Sequence, residues 1–183
     1  MHPRAEIGRE RKRQIQVRMA LEGALIALAP EYHAFFKACA TYLIFSMDRL
    51  HHQDQWICDL LKERVPKDDP VRRHLSDLDA RQEMSRNKTA RFKHALGKYE
   101  ADASQEDFVP AALEFCAMFK TALLPRKNPF EPYTSKLFKD EDWITIAGVT
   151  QESLKREADL FSEVKRLAPP DLDPDGFEAR HMN

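Results

Sequence analysis

A chain of 183 residues with a formal net charge of −1, 43% hydrophobic and 32% charged, can bury a core and is too apolar to stay disordered. That charge balance gives no global reason to bind nucleic acid or an anionic membrane. No stretch reaches the roughly 20 uninterrupted apolar residues that span a bilayer.

With 5 glycines and few β-branched residues against much Ala, Leu, Lys, Arg and Glu, the composition favours helix. The first expected helix runs from about Ile7 to Leu28. Ile15, Met19, Leu21, Leu25 and Leu28 form a ragged apolar side, and Pro30 ends the segment. The basic stretch Arg4, Arg9, Arg11, Lys12 and Arg13 is not a secretory leader, because Arg18 and Glu22 interrupt the apolar run behind it. With Glu6 and Glu10 interspersed it reads as a solvated helix face rather than a nucleic-acid reader.

From about Glu31 to Arg64 runs a long helix without internal Gly or Pro. Phe36, Ala40, Leu43, Met47, Leu50, Ile57 and Leu61 recur at helical spacing, the seam of a bundle helix. Val65-Pro66-Lys67-Asp68 breaks it. Asp69 and Pro70 then read as an N-cap and first helical residue. The third helix is expected to reach Leu96 and stop at Gly97, anchored by Leu75, Leu78 and Phe92, with a polar middle from Arg81 to Lys88.

Ser104 to Asp107 opens a fourth helix through Leu113, Phe115, Phe119 and Leu123, stopped by Pro125 and Pro129. A short helical turn carries Glu141 to Ala147. Thr150 caps a last amphipathic helix through Leu154, Ala158, Phe161, Val164 and Leu167. Lys165 and Arg166 lie in its last turn, and Pro169-Pro170 follow. The tail from Asp171 is expected to be loose. The fold class is therefore all-α, with residues 1–168 as one helical domain and 169–183 as tail. Cys39, Cys58 and Cys116 are odd in number and sit far apart in apolar surroundings. They read as buried small hydrophobes in a reducing cytoplasm rather than a disulfide framework.

The turn Leu50-His51-His52-Gln53-Asp54-Gln55 resembles the His-His-x-x-Glu turn in the second helix of the hemerythrin-like cation-binding family. Phe115, Phe119 and Pro132, then Phe138 and Asp140-Glu141-Asp142-Trp143, match the spacing of that family's fourth helix and following segment. Leu160-Phe161 through Arg166-Leu167-Ala168-Pro169-Pro170 resembles its C-terminal helix and Pro-rich stop. The resemblance covers most of the chain. It implies an up-down four-helix bundle with additional short and C-terminal helices, built around an iron pair held by His and bridging carboxylates from different helices.

Most ligand positions implied by the resemblance carry other residues. The first helix offers Arg11 and its neighbours and no His. The second keeps His51, but Gln55 stands where the carboxylate four residues on is implied. Gln82 occupies the third-helix His position. The fourth-helix frame lands on Ala122 and on Arg126 or Lys127, and Pro125 falls inside that pair, where it breaks a helical presentation. His33 shares a face with His51, but on one straight helix the two stand about 27 Å apart. It reads as a polar residue near a helix start. Asp54 falls at the centre of the second helix's seam with His51 on its flank. Those two can hold one metal with a third ligand such as Glu83, Glu114 or Asp48, or Asp54 can simply pair with His51 or an arginine. The candidate metal residues are His51, His52 and Asp54.

His2, His74 and His94 read as solvated surface. No glycine-rich phosphate loop, Cys-x-x-Cys pair or nucleophile signature gives specific support to covalent catalysis. Trp56 and Trp143 read as core or shell anchors. Three functions compete. The leading expectation is a hemerythrin-like bundle without its di-iron site. It would act as a structural or partner-binding module with no enzymatic activity, no cofactor and an unidentified protein partner, with homodimerisation open. The second is an iron-binding oxygen or redox sensor with a reduced site around His51, His52 and Asp54. The third is a bundle holding a small ligand or haem in space left by Ala80 and Ala122.

Overall fold

The computed structural model describes residues 3–27, 29–123, 129–148 and 150–177, and among these every regular element is helical. The helices are α1 (Pro3–Ala27), α2 (His33–Arg64), α3 (Arg72–Asp102), α4 (Gln105–Leu123), α5 (Glu131–Leu137), α6 (Asp140–Ala147) and α7 (Gln151–Leu167). Tight 3-10 turns at Pro30–Tyr32, Pro170–Leu172 and Pro174–Phe177 complete the set. No helix among the described residues is long and apolar enough to cross a membrane.

Packing follows the seams. α1 lies against α2, α2 against α3, α3 against α4, and α4 returns to α1; α7 covers α2, and α6 bridges α1 and α2. The main core joins Val17, Leu21 and Ala24 of α1 to Phe36, Leu43 and Met47 of α2, Phe92 and Tyr99 of α3, and Phe108, Phe115 and Phe119 of α4. Its spine is a relay of rings. Tyr99 stacks on Phe108 with centroids 4.3 Å apart, Phe92 stacks on Phe115 at 4.7 Å, and Phe115 meets Phe119 at 6.0 Å. Each such pair contributes about 0.5–1.5 kcal/mol beyond the area it buries. The free thiols of Cys39, Cys58 and Cys116 are all buried. Trp143 packs on the small Ile7–Ile146–Ala147 cluster, whereas Trp56 is 40% exposed and anchors no core.

Several boundaries move from their sequence positions. Asp69 does not cap α3. Its Oδ1 accepts from the Val71 N–H at 2.9 Å and from the Tyr133 hydroxyl at 2.8 Å, stabilising the turn ahead of a helix that begins at Arg72. Gly97 does not stop α3 either. A mid-helix glycine costs only about 1 kcal/mol against alanine, and the burial of Tyr99 two residues further on carries the helix past it. The stop is Ala103, left-handed at φ 57°, whose N–H bonds the Tyr99 carbonyl at 2.9 Å. α5 is a helix that sequence periodicity did not announce. α6 ends on Gly148 at φ 52°, a conformation that favours glycine. Thr150 caps α7 reciprocally with Ser153, both bonds 3.0 Å.

The tail is not loose from Asp171. The two turns over residues 170–177 fold back onto α1, and Leu172 is buried in the main core. Gly23 makes room for it, since a Cβ there would lie 2.7 Å from Leu172 Cδ2. Residues 178–183, His2, Leu28, the helix-stopping Pro125, and the expected ligand positions Arg126 and Lys127 lie outside the described residues, as does the side chain of Ala122.

Candidate functional site

α2 presents Asp54 and His51 on the face that meets α3 and α4. There the three helices enclose a cavity of about 60 Å³. Met47 and Leu50 of α2, Leu78 of α3 and Phe119 of α4 give it an apolar wall, while His51, Asp54, Gln82 and Ser85 contribute polar groups.

His51 Nε2 and Ser85 Oγ lie 2.9 Å apart. Burial, helped by the nearby Arg86 charge and opposed by Asp48, lowers the imidazole pKa from its usual range, so the neutral ring is favoured. Asp54 Oδ1 accepts a hydrogen bond from Arg11 Nη2 at 3.0 Å. Burial raises the Asp54 pKa, and the charge and hydrogen bond of Arg11 hold it down only in part. Of the alternatives open for Asp54, the structure has the arginine pair.

His52 goes elsewhere. Its Nε2 accepts from Trp56 Nε1 at 3.1 Å, and its ring lies beside Gly148 at the end of α6. The three candidate metal residues therefore split, with His51 and Asp54 lining one cavity and His52 outside it. Among the described residues no three His, Cys, Asp or Glu side chains converge as a metal ion requires. Asp48 and Glu83 are exposed, and Glu114 is engaged by Lys88 at 3.0 Å and Arg91 at 2.8 Å. Among the described residues, the side chains around this cavity do not supply the donor set that an iron pair requires. Arg11 places a fixed cation on Asp54, the carboxylate that lines this cavity, and a dication beside a guanidinium is repelled.

The other substituted positions are also legible. Gln55 bridges outward, donating to Asp59 at 2.9 Å and accepting from Arg86 at 2.8 Å. Gln82 is 6% exposed, and its amide nitrogen has no hydrogen-bond acceptor among the described residues. Ala80 opens no internal space, because it faces outward into a groove beside Met84 and Glu114. His33 opens α2 and packs on Tyr99 at 4.5 Å. His74 and His94 are exposed.

A polar layer between α1 and α2 escaped the sequence reading. Glu10 is buried and accepts from Arg49 Nε at 2.6 Å and Gln53 Nε2 at 3.0 Å, while Arg49 also donates to the Ala147 carbonyl at 3.2 Å. Gln14 donates to the Ser46 carbonyl at 3.1 Å. Further along, Glu157 of α7 is 1% exposed and accepts from Arg13 at 2.6 Å and from the Tyr42 hydroxyl at 2.8 Å. The Arg13 guanidinium lies 4.6 Å over the Phe161 ring. Burial first, then the Glu157 charge and hydrogen bond, pushes the Tyr42 pKa upward. So α1's basic stretch is only partly a solvated face: Arg4 and Lys12 are exposed, whereas Arg11 and Arg13 reach carboxylates on other helices. The only signal was the raggedness of α1's apolar side.

The motif Asp140-Glu141-Asp142-Trp143 also has a structural use. Asp142 takes both terminal nitrogens of Arg64, at 2.5 and 2.8 Å, and accepts from the Lys139 N–H at 2.7 Å. Those bonds pull its pKa down to about 2 and tie the end of α2 to the start of α6. Neither a family model, nor a curated protein, nor a solved structure matches the chain.

Proposed function

We propose that this chain is a hemerythrin-like up-down four-helix bundle, formed by α1 to α4, in which ion pairs stand where a di-iron site would be. Its role is then that of a structural or partner-binding module in a reducing cytoplasm. One observation carries the reading. Asp54, the carboxylate of the His-His turn that faces the interior, is bonded to Arg11, in the stretch of the first helix where the resemblance implies a ligand. The closed circuit of contacts from α1 through α4 back to α1 supports the bundle, and three buried free thiols suit a reducing compartment.

The test is metal content and visible spectrum of aerobically purified, untagged protein. The proposal expects iron far below one atom per chain and no oxo-bridged absorption. An iron stoichiometry near two would end it. A second reading, one metal ion at His51 and Asp54, draws on the fact that both line the same cavity. Ferrous titration of wild type against His51→Ala decides that one, since equal uptake by both proteins removes it.

A further inference from the structure

The cavity between α2, α3 and α4 contains a donor that the protein itself does not use. His51 and Ser85 satisfy each other at 2.9 Å, and Asp54 is held by Arg11 at 3.0 Å. What remains is the Gln82 amide nitrogen, which lines the cavity on a residue 6% exposed and meets no acceptor among the described residues. A buried donor without a partner is costly, and natural interiors avoid it.

Arg81, the neighbouring residue on α3, also lines the cavity. Its Nε donates to the Asp77 carbonyl at 3.2 Å, and its guanidinium forms no ion pair among the described residues. Arg81 is exposed, so it stands at the mouth and Gln82 inside. The opposite wall is apolar, built from Met47, Leu50 and Phe119. Asp54 adds a carboxylate to the lining, with Arg11 offsetting its charge.

We propose that this cavity is a binding site for a short-chain carboxylate of acetate or propionate size. The carboxylate accepts from Gln82 Nε2 and faces the Arg81 guanidinium. The methyl or ethyl end lies on Met47, Leu50 and Phe119. Size agrees, since a water needs about 10–15 Å³ of such volume and the cavity offers about 60 Å³, room for a handful of heavy atoms. This assignment is independent of the family reading, because it uses only the lining side chains.

The experiment is a titration of ¹⁵N-labelled full-length protein with sodium acetate at constant ionic strength, following the Gln82 side-chain amide signals. Acetamide serves as the neutral isostere. Expected is saturable binding with Kd on the order of 1 mM, the range open to so small a ligand, and acetamide weaker by about fivefold or more. Arg81→Gln, an exposed change that leaves the fold intact, removes the preference for acetate over acetamide. Gln82→Met, checked by its melting curve, weakens acetate by about tenfold. Absence of saturation, equal affinity for acetate and acetamide in the wild type, or an Arg81→Gln protein that keeps the preference overturns the assignment.

Discussion

Arg11 Nη2 donates to Asp54 Oδ1 across 3.0 Å, linking α1 to the middle of α2. The pair places a fixed positive charge on the only carboxylate of the His-His turn that faces inward. Both side chains are partly open to solvent, 38% and 28%, which limits what the pair contributes.

That relationship predicts an asymmetric mutational cycle. Arg11→Met or Asp54→Leu alone should each cost about 1–2 kcal/mol, because each leaves a partly buried charge without its partner. The double substitution should recover most of the loss, since two apolar side chains of similar size can replace an ion pair at little cost. Urea unfolding of the four proteins measures the coupling. A double variant as unstable as the sum of the singles contradicts the account.

The Glu157 site is far less forgiving. Glu157→Ala removes the buried acceptor of both Arg13 and Tyr42, and because Arg13 is 24% exposed the expected loss is about 2–4 kcal/mol, below that of a fully buried pair. Tyr42→Phe removes one hydrogen bond and should cost about 1–2 kcal/mol. Chemical denaturation separates the two. Near-equal losses count against the arginine pair as the larger contribution.

Two groups set opposite ends of the acid response. Asp142 is held down to about 2 by Arg64 and the Lys139 N–H. Its contribution is complete above the unfolded carboxyl value of about 3.9 and is lost as pH falls from there through about 2. His51 is lowered from 6.5 by burial and Arg86. The unfolded chain therefore takes up its proton first, and stability declines as pH drops below about 6.5. His51→Gln should flatten the stability profile just below about pH 6.5, and Asp142→Asn should flatten it below about pH 4. Unfolding midpoints across that range, with slopes unchanged in both variants, speak against these assignments.

The C-terminal turns are held by buried Leu172 and Pro174 and by the Lys165–Asp175 ion pair. Leu172→Ala should cost about 2–3 kcal/mol and open residues 170–177 to limited proteolysis. Gly23→Ala is a milder change. Its added methyl meets only the far end of the Leu172 side chain, and the gain in helix propensity of about 1 kcal/mol offsets the displacement. A melting temperature close to wild type for Gly23→Ala, beside a clear drop for Leu172→Ala, is the expected pattern.

The helical nature of the chain, the long α2 seam and the Thr150 cap were legible because each rests on local rules. Apolar spacing along one helix and hydrogen bonds between residues three apart need no knowledge of the rest of the molecule. Gly97 misled because an isolated glycine is a weak stop, and the burial of Tyr99 outweighs it. The tail misled because its anchors, Leu172 fitted to a glycine on another helix and the Lys165–Asp175 pair, join residues that no local pattern connects.

The candidate site divides along the same line. From sequence alone came the positions of His51 and Asp54 on α2's inner side. Only the tertiary structure decided that Asp54 takes Arg11 as its partner, that His52 turns to Trp56, and that Glu10 and Glu157 anchor inward-facing arginines. Charge pairing between helices depends on their relative rotation and axial offset, and one-dimensional periodicity carries neither quantity.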